Sequence, residues 1–283
     1  MCTMPTMEIS PSAISFANFK GGVGKTAIAV NFAAYCGITK GLKVLLIDLD
    51  PQTNTTFSCI TVEAWETHTS EKGTVADLLN YAAHKQVRQT TVQLNDVVYK
   101  DVFKNVDLIP STYEMFTIDL DLNQATAREG LLRRALKGSL AAYDLIICDC
   151  PPNFGLVTQN ALALSTDYVI PVSPDYLSSI GIALLKTRIE QFTADIATHI
   201  RLAGIVFSRI GRPAQFRASN MEVVRSTFGN DVMTSTIREL VPIAESAQTQ
   251  TPVVLMNAGE ARADFVAFSI ELLKRLEASH EAP

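Results

Sequence analysis

Seven consecutive residues, Lys20-Gly21-Gly22-Val23-Gly24-Lys25-Thr26, combine three glycines, two lysines and a hydroxyl in one short stretch. Glycines let a backbone curl until successive N–H groups face one anion, and a following helix adds its partial positive end. An apolar run, Ala13-Ile14-Ser15-Phe16-Ala17, precedes the stretch, and a helix-like one, Ala27 to Tyr35, follows it. Strand, glycine-rich loop and helix in that order are what a phosphate-binding loop requires. In such a loop the residues from Lys20 to Ala27 surround the phosphates. Lys25 reaches the β- and γ-phosphates, and the Thr26 hydroxyl sits on Mg²⁺. The usual spacing, G-x-x-x-x-G-K-[ST], asks for glycine at position 19. The chain has Phe19 there, and it adds Lys20 at the mouth of the loop. A glycine turn flanked by solvated lysines is the simpler alternative.

Two carboxylate motifs lie further along. In Val44-Leu45-Leu46-Ile47-Asp48-Leu49-Asp50-Pro51-Gln52, four aliphatics run into two carboxylates two residues apart. Asp48 and Asp50 share a side if strand geometry persists, and at the C-terminal edge of a parallel sheet they point into the ligand crevice. Neighbouring carboxylates repel unless a cation or a polarised water lies between them. Solvated carboxylates at a strand end are the competing reading, since Asp-Pro starts turns for local reasons. In Leu145-Ile146-Ile147-Cys148-Asp149-Cys150-Pro151-Pro152, an aliphatic strand ends in Asp149, the arrangement of a Walker B aspartate. The prolines end that strand and leave Asn153-Phe154-Gly155 as a loop able to respond to a γ-phosphate. Cys148 and Cys150 flank Asp149 and are expected to face the core as small hydrophobes.

The elements that must position these groups follow from the apolar pattern. Strands are expected at Ala13–Asn18, Lys43–Leu49, Val106–Ile109, Leu145–Asp149, Tyr168–Val172, Leu202–Ser208 and Val232–Ile237. Helices are expected at Thr26–Ile38, Val75–Ala83, Ala127–Leu140, Leu156–Leu164, Gly181–Thr198, Ala214–Phe228, Ala244–Thr249 and Ala261–Ala278. The alternation predicts an α/β fold, a mainly parallel twisted sheet with helices on both faces. One domain is expected over residues 12–278, after a leader at 1–11 and before a tail at 279–283. Residues 59–104 read as a surface elaboration, a short helix and a small strand pair around Trp65.

Bulk properties narrow the setting. The 283 residues are 47% hydrophobic and 19% charged, with net charge −5, and no apolar stretch approaches the roughly 18 residues of a membrane span. The first eleven residues lack the basic and apolar regions of a secretory signal. Five cysteines, an odd number without C-x-x-C spacing, argue for a reducing cytoplasm over a disulfide framework. From Lys186 to Arg225, seven basic residues face three acidic ones, a local +4 inside an acidic chain. That segment is either a set of arginines on solvated helix faces or part of a surface for a polyanion.

Together, Lys20 to Thr26, Asp48-Leu49-Asp50-Pro51-Gln52 and Asp149-Cys150-Pro151-Pro152 resemble the ParA/MinD family of deviant-Walker ATPases, and within it the plasmid and chromosome partition (ParA/Soj) branch. Val106-Asp107-Leu108-Ile109-Pro110-Ser111, Val169-Ile170-Pro171-Val172 and Ile237-Arg238-Glu239-Leu240-Val241-Pro242 match in order. The resemblance implies a P-loop NTPase fold with ATP and Mg²⁺ as cofactors. It implies a homodimer with ATP sandwiched between subunits, Lys20 touching the phosphates held by the other protomer's Lys25. Lys20, Lys25 and Asp50 are the implied catalytic residues, Asp50 positioning water. Thr26, Asp48 and Asp149 are the implied metal-side residues. The resemblance also implies non-specific DNA binding by the ATP dimer, release by a ParB-type centromere-binding partner, and a cytoplasmic, nucleoid-associated protein. Arg209, Arg212, Arg217, Arg225, Arg262, Lys274 and Arg275 are the DNA-contact candidates.

The chain departs from the family in three ways. Only about eleven residues precede the first strand, which leaves no room for an operator-binding domain. The strand Gly204-Ile205-Val206-Phe207-Ser208-Arg209 lacks the asparagine that related ATPases use on adenine, so base recognition falls to backbone groups. The 59–104 region is long for a minimal member. A MinD-like membrane ATPase needs a lysine-rich terminal helix. Here Phe265, Phe268, Leu272 and Leu276 are interspersed with Glu271, Glu277 and Glu281 as well as Lys274 and Arg275, which predicts a core helix and no stable membrane association. An iron–sulfur reductase of the same superfamily would need cluster cysteines, and only Cys148 and Cys150 lie near the nucleotide face. Other cargoes (chemoreceptor clusters, microcompartments, conjugation machinery) fit the same motifs.

Overall fold

The computed structural model describes residues 12–83, 92–118, 122 and 127–280. The expected leader at 1–11, residues 84–91 of the elaboration and the last three residues lie outside that set. Among the described residues eight strands form one sheet: β1 (Ser12–Phe16), β2 (Val44–Asp48), β3 (Tyr99–Phe103), β4 (Val106–Ile109), β5 (Leu145–Asp149), β6 (Asp167–Val172), β7 (Arg201–Ile210) and β8 (Val232–Arg238). Their order is β3-β4-β2-β5-β1-β6-β7-β8, parallel throughout except for the β3–β4 pair at one edge.

Alternate residues of the inner strands feed opposite faces, as the two-residue repeat of a strand dictates. Ile14, Phe16, Val44, Leu46, Leu145 and Ile147 belong to one core cluster, whereas Ala13, Leu45, Ile47, Ile146 and Cys148 belong to a second. The first face is covered by α1 (Lys25–Ala34) and a long C-terminal helix, Gly259–His280. Phe16, Phe32 and Phe268 meet there with ring centroids 6.0 to 6.5 Å apart. Phe265, Phe268, Leu272 and Leu276, the apolar stripe of that last helix, are all buried in this cluster.

Between these lie α2 (Asn54–Phe57), α3 (Val62–Glu71), α4 (Val75–Ala83), α5 (Leu131–Ala135), α6 (Leu156–Leu164), α7 (Ser178–Asp195), α8 (Gln215–Phe228) and α9 (Val241–Gln248); the C-terminal helix is α10. Among the described residues no helix is long and apolar enough to cross a membrane.

Three expectations need correction. The helix expected over Ala127–Leu140 is broken into a 3-10 turn at Arg128–Gly130, the short α5 and another 3-10 turn at Leu140–Ala142, with Gly138 in the left-handed region at φ 89°. The 59–104 elaboration holds two helices, α3 and α4, and its strand β3 extends the main sheet instead of forming a separate pair. The first helix gives way to a π turn at Tyr35–Thr39. Gly37 within that turn is required by close approach: a Cβ there would lie 2.5 Å from Val106 Cγ2 and 2.7 Å from the Lys104 carbonyl.

Candidate nucleotide site

The loop between β1 and α1 turns on Gly22 (φ 73°) and Gly24 (φ 83°), and α1 starts at the next residue, Lys25. Alternation of ordinary and left-handed residues makes the concave row of N–H groups that cradles an anion. Lys25 is buried, its Nζ 3.4 Å from the carbonyls of both Asn18 and Lys20. Asn18 braces the entrance, donating Nδ2 to Pro171 O at 2.7 Å and accepting from Lys20 N at 2.9 Å. Phe19, where glycine is usual, packs edge-on against Phe154 with centroids 5.9 Å apart. Lys20 extends outward and pairs with Asp175.

Parallel registry brings the acidic residues together. Asp149 ends β5 opposite Phe16 of β1 on one side and Asp48 of β2 on the other. Thr26 and Thr55 hydroxyls both donate to Asp149 Oδ2 at 2.7 Å. Thr56 donates its backbone N–H (2.8 Å) and hydroxyl (2.7 Å) to Asp48 Oδ2, and Asp50 N donates to Asp48 Oδ1 at 3.1 Å. Asp50 lies past the end of β2, accepts from Gln52 N at 2.9 Å, and has its carbonyl held by Ser111 Oγ at 2.8 Å. Burial, and then the neighbouring Asp149, push the Asp48 carboxyl up to about 8. Burial raises Asp149 to about 6 against the opposing Thr26 and Thr55 hydrogen bonds. Asp50 is raised by burial, opposed by Gln52 N–H and Lys25.

A metal fits beside Asp149. Its Oδ1 is buried without a hydrogen-bond partner, while the Thr26 hydroxyl engages the other oxygen of the same carboxylate. Among the described residues no group of three or more His, Cys, Asp and Glu forms an all-protein cage. Mg²⁺ suits such a place, since it keeps waters and binds through one or two carboxylates plus substrate phosphates.

A cleft of about 600 Å³ opens over the loop, lined by residues 21–27, Asp50, Gln52, Phe57, Pro152 and Arg209 among others. An adjoining pocket of about 210 Å³ has apolar walls from Ala27, Ile28, Ile237, Leu240, Ile243 and Phe265. Cys148 and Cys150 are buried, and burial pushes both thiols up, Cys148 to about 12. Cluster chemistry has no exposed thiolate to use there.

The basic candidates do not form one strip. Arg209, though half exposed, is engaged by the phosphate loop, donating Nη1 to Gly22 O at 2.8 Å and pairing with Glu239. Arg275 is engaged at the start of β8 by the carbonyls of Asn230 and Val232, and by Glu271. Arg262 donates to Val254 O at 2.9 Å, and Arg217 donates to Arg212 O at 2.5 Å. Arg212, Arg225 and Lys274 are exposed. Sequence reasoning missed the three α2 hydroxyl and amide donors from Thr55 and Thr56, and it missed Ser208, whose Oγ donates to Val23 O at 2.5 Å.

This geometry, a phosphate loop and buried carboxylates at the C-terminal edge of a parallel sheet, is that of a P-loop nucleotide-binding protein. The family described as an AAA domain (AAA_31) matches residues 12–202, more than half of the chain, and the chain belongs to this ParA/MinD-type family. It is 32% identical over 265 residues to the cell division protein PomZ of Myxococcus xanthus, covering 93% of this chain and 78% of PomZ. It is 31% identical over 244 residues to the sporulation initiation inhibitor protein Soj of Bacillus subtilis, covering 86% and 90% respectively. Among solved structures, cobyrinic acid a,c-diamide synthase from Mycobacterium smegmatis, bound to an ATP analogue and magnesium, superposes with a TM-score of 0.77 at 22% identity, covering 96% of this chain and 98% of that one. That last likeness concerns the fold.

Proposed function

We propose that this protein is a Mg–ATP-dependent switch that hydrolyses ATP slowly, pairs with a second copy across the nucleotide, and holds DNA without sequence preference in that paired form. Its role would be plasmid or chromosome partition alongside a ParB-type centromere-binding protein, in the cytoplasm on the nucleoid. The observation that carries this reading is the extra lysine. Lys20 stands at the outer rim of a complete phosphate loop, while Lys25 lies beneath it.

The loop N–H groups and the start of α1 hold the β- and γ-phosphates, with Lys25 as the cation in cis. Thr26 and Asp149 would hold Mg²⁺, with Asp48 behind them. A metal held by these residues would supply positive charge to offset that of the phosphates. Asp50, held by Gln52 N–H and Ser111, orients the attacking water, and its raised pKa makes it a better proton acceptor. Lys20 of each copy meets the triphosphate of the other, so pairing follows ATP occupancy and is released by hydrolysis. Arg212, Arg217, Arg225 and Lys274 contact DNA phosphates, which makes binding sequence-blind and salt-dependent. The likeness to PomZ, as high as that to Soj, favours one second reading: the same switch serving a different cargo.

Co-sedimentation with DNA in ATP, ADP and no nucleotide, run beside anionic liposomes, tests the proposal. DNA pelleting should require ATP and fall steeply with salt, and liposomes should capture nothing. Nucleotide-independent DNA binding, or ATP-dependent capture by lipid, would overturn it.

A further inference from the structure

Strand β7 runs on after its neighbour β6 has ended opposite Phe207, which carries Ser208, Arg209 and Ile210 over the phosphate loop. Two consecutive loop carbonyls are taken up there. Ser208 Oγ donates to Val23 O at 2.5 Å, and Arg209 Nη1 donates to Gly22 O at 2.8 Å. Arg209 does this from φ 51°, the left-handed region that a bulky side chain rarely occupies unless its surroundings impose it. Its Nε is anchored to Glu239 Oε1, 3.1 Å away in the turn after β8. The side chain borders both the nucleotide cleft and the apolar pocket beside it.

A trans peptide holds its C=O and N–H on opposite sides. Drawing the Gly22 and Val23 carbonyls toward β7 therefore turns the N–H groups of Val23 and Gly24 the other way, away from the strand end. Glycine-rich loops lose more chain entropy on ordering than any other sequence. A loop already fixed by outside donors spares the ligand that ordering cost.

We propose that Ser208 and Arg209 are positioning residues that set the phosphate loop for the polyphosphate of a nucleotide, and that Arg209 serves this loop instead of DNA. The inference rests on the nucleotide reading above and adds residues to it. The relevant ligand chemistry is the phosphate chain, with base and ribose playing no part.

Calorimetric titration with Mg–ATP, Mg–ADP and Mg–tripolyphosphate tests this on wild type, Ser208→Ala, Arg209→Gly and Arg209→Lys, each first shown folded by thermal melting. Arg209→Gly keeps the left-handed backbone without strain while deleting the guanidinium. Ser208→Ala and Arg209→Gly should each weaken all three ligands by a similar factor, about tenfold. Arg209→Lys should recover part of the loss, KM for ATP should rise more than kcat falls, and the salt slope of DNA binding should stay as in wild type. Unchanged affinities in both deletion variants, with wild type binding normally, would sink the clamp alone. A loss confined to ATP and ADP, with tripolyphosphate unaffected, would also overturn it. Wild type that binds none of the three would remove the nucleotide reading, and the clamp with it.

Discussion

Asp48 and Asp149 stand opposite each other at the last residues of the adjacent strands β2 and β5, and both are fully buried. Two carboxylates so placed cannot both ionise cheaply without a cation. Between the ordinary carboxylate range and about 8, Asp48 keeps its proton in the folded chain and loses it in the unfolded one. A pKa raised on folding means stability is fully present at low pH and is lost as pH rises through the folded value. Metal-free protein should therefore lose on the order of 2 kcal/mol between about pH 6 and 8. Urea unfolding at several pH values checks this. Asp48→Asn, which keeps an acceptor for Thr56, should give a much flatter profile, and an equal decline in that variant would assign the effect to other groups.

Asp50 differs from that pair in lying beyond the strand end and facing the cleft. Asp50→Asn retains an acceptor for Gln52 N–H but cannot take a proton. Hydrolysis should drop by about 10²- to 10⁴-fold while ATP still binds. Gel filtration in ATP should then show an accumulated dimer. Phosphate release at the wild-type rate would move the water-positioning role to another residue.

Lys20 is held within its own chain by Asp175, whose carboxyl is kept below the usual range first by that lysine and then by Ser173. Both side chains are about half exposed (59% and 47%), so the pair is worth at most about 1 kcal/mol. If the same lysine must reach a second copy, Asp175 competes with pairing. Asp175→Asn should lower the ATP concentration needed for dimerisation by about two- to fivefold. Lys20→Ala should bind nucleotide yet fail to pair. Light scattering across an ATP titration distinguishes the two, and dimerisation of Lys20→Ala at wild-type strength would dismiss the trans role.

What the sequence made legible was what it holds contiguously. The loop from Lys20 to Thr26 and the aliphatic runs ending in Asp48 and Asp149 announce themselves, because strands buried on both faces need unbroken Val, Ile and Leu. A strand is expected within 59–104, but the bounds of β3 and its place in the main sheet are not legible, because it is an edge strand, Tyr99-Lys100-Asp101-Val102-Phe103, with two charges and little burial. Residues 127–140 have helical spacing, but Gly130 and Gly138 interrupt them, and Asn160 takes up Leu132 N and Arg128 O instead. Ser208 and Arg209 act on carbonyls 185 and 187 residues away, a relation no local pattern encodes. Arg275 reads as a surface cation until its carbonyl partners are seen.

Trp65, the single tryptophan, connects the 59–104 elaboration to the site. Its ring meets Phe57 edge-on at 5.6 Å and Tyr113 at 6.0 Å, and its Nε1 donates to Ser111 O at 3.0 Å. Phe57 lines the cleft, and Ser111 Oγ holds the Asp50 carbonyl. Whatever fills the cleft or shifts Asp50 thus reaches the indole through one intervening residue. Mg–ATP should change the intrinsic fluorescence with a midpoint equal to the calorimetric Kd, and Trp65→Phe should abolish the signal while leaving affinity close to wild type. Ser111→Ala removes one hydrogen bond of about 1 kcal/mol from the Asp50 loop, so hydrolysis should slow by up to about tenfold with little change in binding. The fluorescence response of that variant separates the two routes: a full response assigns it to Phe57 contact alone, and a diminished one shows that Asp50 and the elaboration move together.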